Sequence, residues 1–151
     1  MVIIRRMAPP DAVSVAEIER ESPSPWDLAQ VKGEFSCSGS ITLVAEDEEG
    51  VICAWCCARF FGEEAELLKI AVRTESRRAG VGAVLLTSLQ RLLYQIGVKE
   101  IFLEVRSRNE PALGLYLKHG FNVVGKRAGY YSNPTDDALI CQFHVSHSEP
   151  L

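Results

Sequence analysis

The chain has 151 residues, 47% hydrophobic and 24% charged, with a formal net charge of −4. This is the length of one domain with a self-sufficient core, and no apolar run approaches the ~20 residues of a membrane-spanning helix. The acidic balance argues against a sequence-independent grip on nucleic acid, which takes a basic face, and suits a basic partner. Five cysteines are an odd number, three of them between Cys53 and Cys57, and read as thiols in a strand. His119, His144 and His147 are scattered and supply no ligand pair at matched spacing, so no metal site is expected. Met1 to Arg6 runs into Pro9-Pro10-Asp11 without the apolar stretch of a signal peptide, which makes a cytoplasmic location the expectation.

In chain order, Val2 to Arg6 reads as a strand. Pro10 then opens a helix that runs to about Glu21, with Val13 and Ile18 among its apolar positions. Ser22-Pro23-Ser24-Pro25 breaks it, and Trp26 to Phe35 forms a second helix capped by Ser24 or Asp27. Ile41 to Glu46, Val51 to Phe60 and Ala65 to Val72 follow as three antiparallel strands, with turns at Gly50 and Gly62. A helix from Gly82 to Gln95 stops at Gly97, and Glu100 to Val105 is the next strand. Parallel pairing of that strand with Leu67 to Val72 makes a βαβ crossover, whose loop lies at the carboxyl end of the first strand, where ligands bind. Asn109 caps a further helix, with Glu110 and Pro111 in its first turn, and Gly120 ends it. Phe121 to Lys126 and Ala138 to Val145 complete the sheet, leaving 146–151 as a tail. The fold class is α/β: a mixed, mostly antiparallel sheet with a central parallel βαβ crossover and helices on both faces.

Two places carry chemistry. Arg77-Arg78-Ala79-Gly80-Val81-Gly82-Ala83 joins a strand to a helix, and its glycines free backbone N–H groups at the helix start to point at an anion. It is not a P-loop, since no lysine follows the second glycine. It is a poor Rossmann fingerprint, since Leu85 holds the third glycine position and seven residues separate Val72 from Gly80. An ordinary glycine-containing helix start is the other account of it. The second place is Glu104, a charge inside the apolar strand Ile101-Phe102-Leu103-Glu104-Val105, which is costly unless paired, hydrated or used. Its face is shared with Phe102 and Arg106, so a carboxylate paired to a nearby cation and a catalytic base are both open readings.

Arg77-x-x-Gly80-x-Gly82 is similar to the coenzyme A pyrophosphate loop of the Gcn5-related N-acetyltransferase (GNAT) family. The block Leu103-Glu104-Val105-Arg106, Asn109, Leu115-Tyr116 and Gly120-Phe121 resembles the RimI group of that family, which modifies the N-terminal alanine of a small-subunit ribosomal protein. Ile70-Ala71-Val72, Pro25-Trp26, Tyr130-Tyr131 and Asp137-Ala138-Leu139-Ile140 extend the likeness over nearly the whole chain.

The resemblance implies a single N-acetyltransferase domain over 1–151, with 1–64 as the acceptor side and 65–145 as the acetyl-CoA-binding and catalytic half. It implies acetyl-CoA as cosubstrate, no metal, and direct transfer to a protein or peptide α-amine, as on a basic ribosomal protein. Neither nucleic acid nor membrane is an expected partner. By the same resemblance Glu104 is the general base and Tyr116 the proton donor to the departing thiolate. Ile70, Ala71 and Val72 bind the acetyl and pantetheine portion, Arg77, Arg78, Ala79, Gly80, Val81, Gly82 and Ala83 the pyrophosphate, and Asn109 the coenzyme. Tyr116 follows Asn109 by about two helical turns, so the two can face one cleft. Burial of Glu104 would strengthen it as a base. Acetylation of lysine or a small amine, and a non-catalytic acetyl-CoA-binding module, are the competing functions. Lys69 and Glu21-Ser22-Pro23-Ser24 depart from the group's usual residues. Lys69 either acts on Glu104 or reaches solvent.

Overall fold

The structure, a computed structural model, describes residues 1–145, so the expected tail at 146–151 lies outside the described residues. Its strands are β1 (Ile3–Arg6), β2 (Ser40–Glu46), β3 (Ile52–Phe61), β4 (Glu64–Val72), β5 (Glu100–Arg106), β6 (Asn122–Tyr131) and β7 (Asp136–His144). The helices are α1 (Ala12–Glu19), α2 (Leu28–Gly33), α3 (Val81–Gln95) and α4 (Glu110–Lys118). They build one sheet in the order β1-β2-β3-β4-β5-β7-β6, in which β4 and β5 are the parallel pair.

The two acceptor-side helices are shorter than the sequence predicts, for local reasons. Both the backbone N–H and the hydroxyl of Ser22 donate to the Glu19 carbonyl at 2.9 Å, which closes α1 there. At α2, Asp27 accepts from Gln30 N at 2.8 Å while the Gln30 side chain accepts from Asp27 N at 2.9 Å, so the capping pair starts the helix after Trp26.

Helices cover both faces of the sheet. Leu85, Leu86, Leu89 and Leu93 of α3 pack on Leu67, Ile101, Leu103 and Phe121, whereas Val15 and Ile18 of α1 and Val31 of α2 pack on Val44 and Trp55. Covered on both sides, β3 is buried from Ile52 through Ala58. Its cysteines are free thiols, as expected, and burial pushes that of Cys56 up to about 12.

Two irregularities shape the centre. Cys57 registers with Lys69 and Ala58 with Leu67, so Leu68 is an extra residue in β4. The bulge turns Lys69 away from the α3 core toward α1, where its ammonium lies 3.2 Å from Glu19, donates to the Ser24 carbonyl and stands 5.6 Å from the Trp26 ring centre. Glu19 is fully buried and also accepts from Trp26 N and Trp55 Nε1, each at 2.9 Å. The second irregularity corrects the predicted pairing. β4 and β5 are in register only from Glu64 to Glu66 and Glu100 to Phe102, and the stretch Leu67 to Val72 that was expected to pair parts from β5. β5 is held instead by β7 along its whole length, from Glu100 opposite His144 to Arg106 opposite Ala138.

A second buried carboxylate, Glu34, fastens the end of α2 to the sheet through Ser40 Oγ at 2.6 Å, Cys57 Sγ at 3.3 Å and the Arg59 guanidinium. Burial opposes its charge, but these donors outweigh it and hold the carboxyl below its ordinary value of 4.5. A depressed carboxyl contributes stability above the unfolded-state value and loses it as pH falls. Urea midpoints measured from pH 7 downward are therefore expected to hold until about pH 5 and then drop, with a smaller drop in Glu34→Gln. Glu19→Ala, which strands Lys69 and Trp55 Nε1, is expected to lower the unfolding free energy by about 3–5 kcal/mol in the same assay.

Candidate active site

Past Glu66 the parting of β4 and β5 opens a gap in the sheet whose rim is the carboxyl half of β4, Ile70 to Val72, bonded on its other side to β3. At the end of that rim the chain makes a short turn, Thr74–Ser76, pinned when Thr74 N and Oγ1 donate to Glu21 at 2.9 and 3.1 Å. Arg77 Nε donates to the Val72 carbonyl at 3.0 Å and draws the anion loop back toward the strand end. Arg78 and Gly80 both have positive φ, 65° and 80°, which turns the chain sharply into α3.

The first helical bond of α3 runs from Val84 N to Gly80 O, so the N–H groups of Val81, Gly82 and Ala83 have no intrahelical acceptor. No acidic side chain stands in that first turn, and Arg78, Ala79 and Gly80 are exposed. A Cβ on Gly82 would meet Leu115 and Val72 only at 3.6 and 3.8 Å, so the protein's own packing does not demand glycine there. The residues fit a ligand bearing phosphate, which the free amides and the helix dipole favour.

Glu104 points to the face of the sheet opposite α3. Its carboxylate meets Arg127 Nε of β6 at 2.9 Å. The expectation of burial is corrected: the side chain is 24% exposed and lines an open cleft of about 320 Å3 with Glu66, Phe102, Arg127, Tyr130 and Ile140. Arg127 stacks over Tyr130 at 5.4 Å, and Arg106 over Tyr131 at 4.2 Å while donating to the Pro134 carbonyl at 3.1 Å. These contacts tie the β6–β7 hairpin to the end of β5. Lys69, one candidate to act on Glu104, is engaged by Glu19.

Tyr116 lies on the α3 side. Its ring is 7% exposed and packs on Phe121 at 5.8 Å. It shares a core with Cys56 of β3 and Cys141 of β7, which flank β4 and β5, and so sits beneath the gap between them. Burial raises its phenol well above the ordinary tyrosine value, with small contributions from those thiols and Tyr131, and keeps it protonated. Asn109 caps α4, its side chain accepting from Ala112 N at 3.3 Å, as the sequence predicts. It is exposed while Tyr116 is buried, so the two do not share one surface.

The structure thus brings Ile70–Val72, the 77–83 loop, Glu104 and Tyr116 around one gap, with Glu104 above the sheet and Tyr116 below. Sequence reasoning missed Arg127, whose meeting with Glu104 depends on a strand inserted between theirs. It also missed Glu66 in the cleft, which alternation with buried Ala65 and Leu67 signals.

Residues 12–121 match the model of the acetyltransferase (GNAT) family. A relative from Bacillus subtilis (strain 168) is 31% identical over 138 residues, 91% of each chain. The ribosomal protein bS18-alanine N-acetyltransferase of Escherichia coli (strain K12) is 32% identical over 133 residues, 85% of this chain and 86% of that one. The crystal structure of the ribosomal-protein-S18-alanine N-acetyltransferase from Escherichia coli superposes over all of both chains with a TM-score of 0.88 and 26% identity.

Gly82→Ala would add a methyl group at the start of α3 with only ordinary van der Waals contacts to Leu115 and Val72. Its unfolding free energy is expected to stay within about 1 kcal/mol of the parent. By calorimetry its Kd for coenzyme A is expected to rise at least tenfold, about 1.4 kcal/mol.

Proposed function

Since the chain belongs to the acetyltransferase (GNAT) family and is an N-acetyltransferase, we propose that it transfers acetyl from acetyl-CoA to the α-amine of a protein N-terminus by direct attack. The observation that carries this reading is the placement of a carboxylate and a protonated phenol on opposite sides of one gap in the sheet. Acetyl-CoA supplies the thioester; side chains of this chain take the first proton from the acceptor and supply the proton of the thiol.

Glu104 opens to the solvent-facing cleft and takes a proton from the incoming ammonium, directly or through water. An α-amine with a pKa near ~7.7–8.0 is mostly protonated at neutral pH and needs that step before its lone pair attacks the acetyl carbonyl. Arg127 holds one carboxylate oxygen and leaves the other to face the amine. As the new C–N bond forms and the C–S bond breaks, Tyr116 gives its proton to the departing sulfur, the nitrogen sheds its second proton to water as it becomes an amide, and Tyr116 is reprotonated from water. The raised phenol keeps that proton available throughout the neutral range. Val81, Gly82 and Ala83 present their amides, and Arg78 its charge, to the pyrophosphate; the rim Ile70–Val72 offers backbone groups to the acetyl and pantetheine portion.

The names carried by its relatives support an N-terminal alanine of a small-subunit ribosomal protein as acceptor, and a cytoplasmic site of action goes with that reading. The test is intact-mass analysis after incubation with acetyl-CoA and a basic peptide beginning Ala-Arg-Tyr and containing lysine, free or blocked at its N-terminus. One acetyl on the free peptide alone is expected; modification of the blocked peptide would mark a lysine acetyltransferase. Glu104→Gln is expected to lower kcat by about 10²-fold or more, and Tyr116→Phe to slow turnover when chemistry is rate-limiting.

A further inference from the structure

The uncovered face of β4 and β5 continues from Glu104 toward the β3–β4 turn. The cleft around Glu104 shares Glu66 and Phe102 with a second cleft of about 460 Å3 that reaches Glu64 and Phe61, so the two form one groove. Its lining follows from alternation. Ala65, Leu67, Ile101 and Leu103 are buried against α3, which turns Glu64, Glu66, Glu100, Phe102 and Glu104 the other way.

The register sets Glu64 opposite Glu100 and Glu66 opposite Phe102. Like charges directly opposite one another destabilise a sheet. Among the described residues no cation lies within salt-bridge distance of Glu64, Glu66 or Glu100. The Arg and Lys side chains nearby are engaged elsewhere: Arg59, the cross-strand neighbour of Glu66, is bound to Glu34, Arg127 to Glu104, and Lys99 to Glu63, while the exposed His144 opposite Glu100 makes no ion pair with it. Glu100 accepts only the neutral amide of Gln142, at 2.7 Å. At the far end Phe61 is 93% exposed. The fold gains nothing evident from this arrangement, while a cationic chain lying on Phe102 would relieve it.

We propose that this groove binds the part of the acceptor polypeptide that follows the acetylated residue, extended along β4 and β5, with cationic side chains against Glu66 and the Glu64–Glu100 pair. The inference rests on the N-terminal reading above. The row of Glu66 lies two residues back from Glu104 along β5, about 7 Å, and the row of Glu64 and Glu100 four residues back, about 13 Å. An extended acceptor rising about 3.3 Å per residue sets its third residue at the first row and its fifth at the second, both on its sheet-facing side.

The test is steady-state kcat/KM on seven-residue peptides beginning with alanine that carry lysine, serine or glutamate at position 3 and lysine or serine at position 5. The wild-type protein is expected to favour the dilysine peptide about tenfold, through KM, with the preference shrinking as salt rises. The double variant Glu64→Gln, Glu100→Gln is expected to lose the preference at position 5 alone and to leave the diserine peptide unchanged. Glu66→Lys is expected to reverse the preference at position 3 toward glutamate. Equal kcat/KM for both peptides in the wild type, or a position-5 lysine preference that survives in the glutamine variant, overturns the groove and leaves N-terminal acetylation standing. Acetylation of neither peptide at its α-amine overturns both.

Discussion

β4 and β5 share three registered residues and then separate, although they are neighbours in one sheet. A sheet normally satisfies its backbone groups strand against strand, so each strand beyond the separation has an edge with no backbone partner across the gap. Past the separation each strand stays with its outer neighbour: β3 holds β4 through a bulge at Leu68, and β7 holds β5 along its full length. The groups assigned to the proposed reaction are arranged around the resulting gap: the candidate anion loop at the carboxyl end of β4, the carboxylate of Glu104 above and the phenol of Tyr116 below. A gap walled by rigid strands holds reacting groups more firmly than a loop-built site would.

The acceptor side is fixed by charge as well as by packing. Glu19 and Glu34 are buried carboxylates, each fully supplied with donors and each tying a helical segment to the sheet. Such pairs add little to stability compared with apolar packing, but removing one partner leaves an uncompensated charge. Their effect is positional. They hold the segment from Glu19 to Ser40 as a wall beside the open face of β4 and β5, the face onto which Glu104 and Glu66 project.

The environments of the two candidate catalytic groups differ. Tyr116 is enclosed in apolar core, which disfavours its anion and keeps a proton on it. Glu104 is open to the cleft and carries a guanidinium partner that orients it without covering it. The stack of Arg127 on Tyr130 and of Arg106 on Tyr131 gives the β6–β7 hairpin a share in that orientation.

Much of this was legible in the chain. Alternation and turn residues placed every strand and helix, with ends altered where caps intervened, as at Asp27 and Ser22, and with β6 running five residues beyond the expected Lys126 to Tyr131. Gly80 and Gly82 marked the anion loop, and a glutamate inside an apolar strand marked Glu104, because local backbone geometry and the cost of burying charge are written residue by residue. Three things were not. A strand's sequence specifies its faces but not how far its neighbour accompanies it, so the parting of β4 from β5 was read as continuous pairing. The bulge at Leu68 shifts the alternation by one, which sent Lys69 to Glu19. Arg127 reaches Glu104 only because β7 enters the sheet between β5 and β6. By itself the sequence determined the elements, the glycine-containing turn into α3 and the residue types able to carry the chemistry. The tertiary structure alone decided which of them meet, because register, bulge and strand order depend on contacts between segments far apart in the chain.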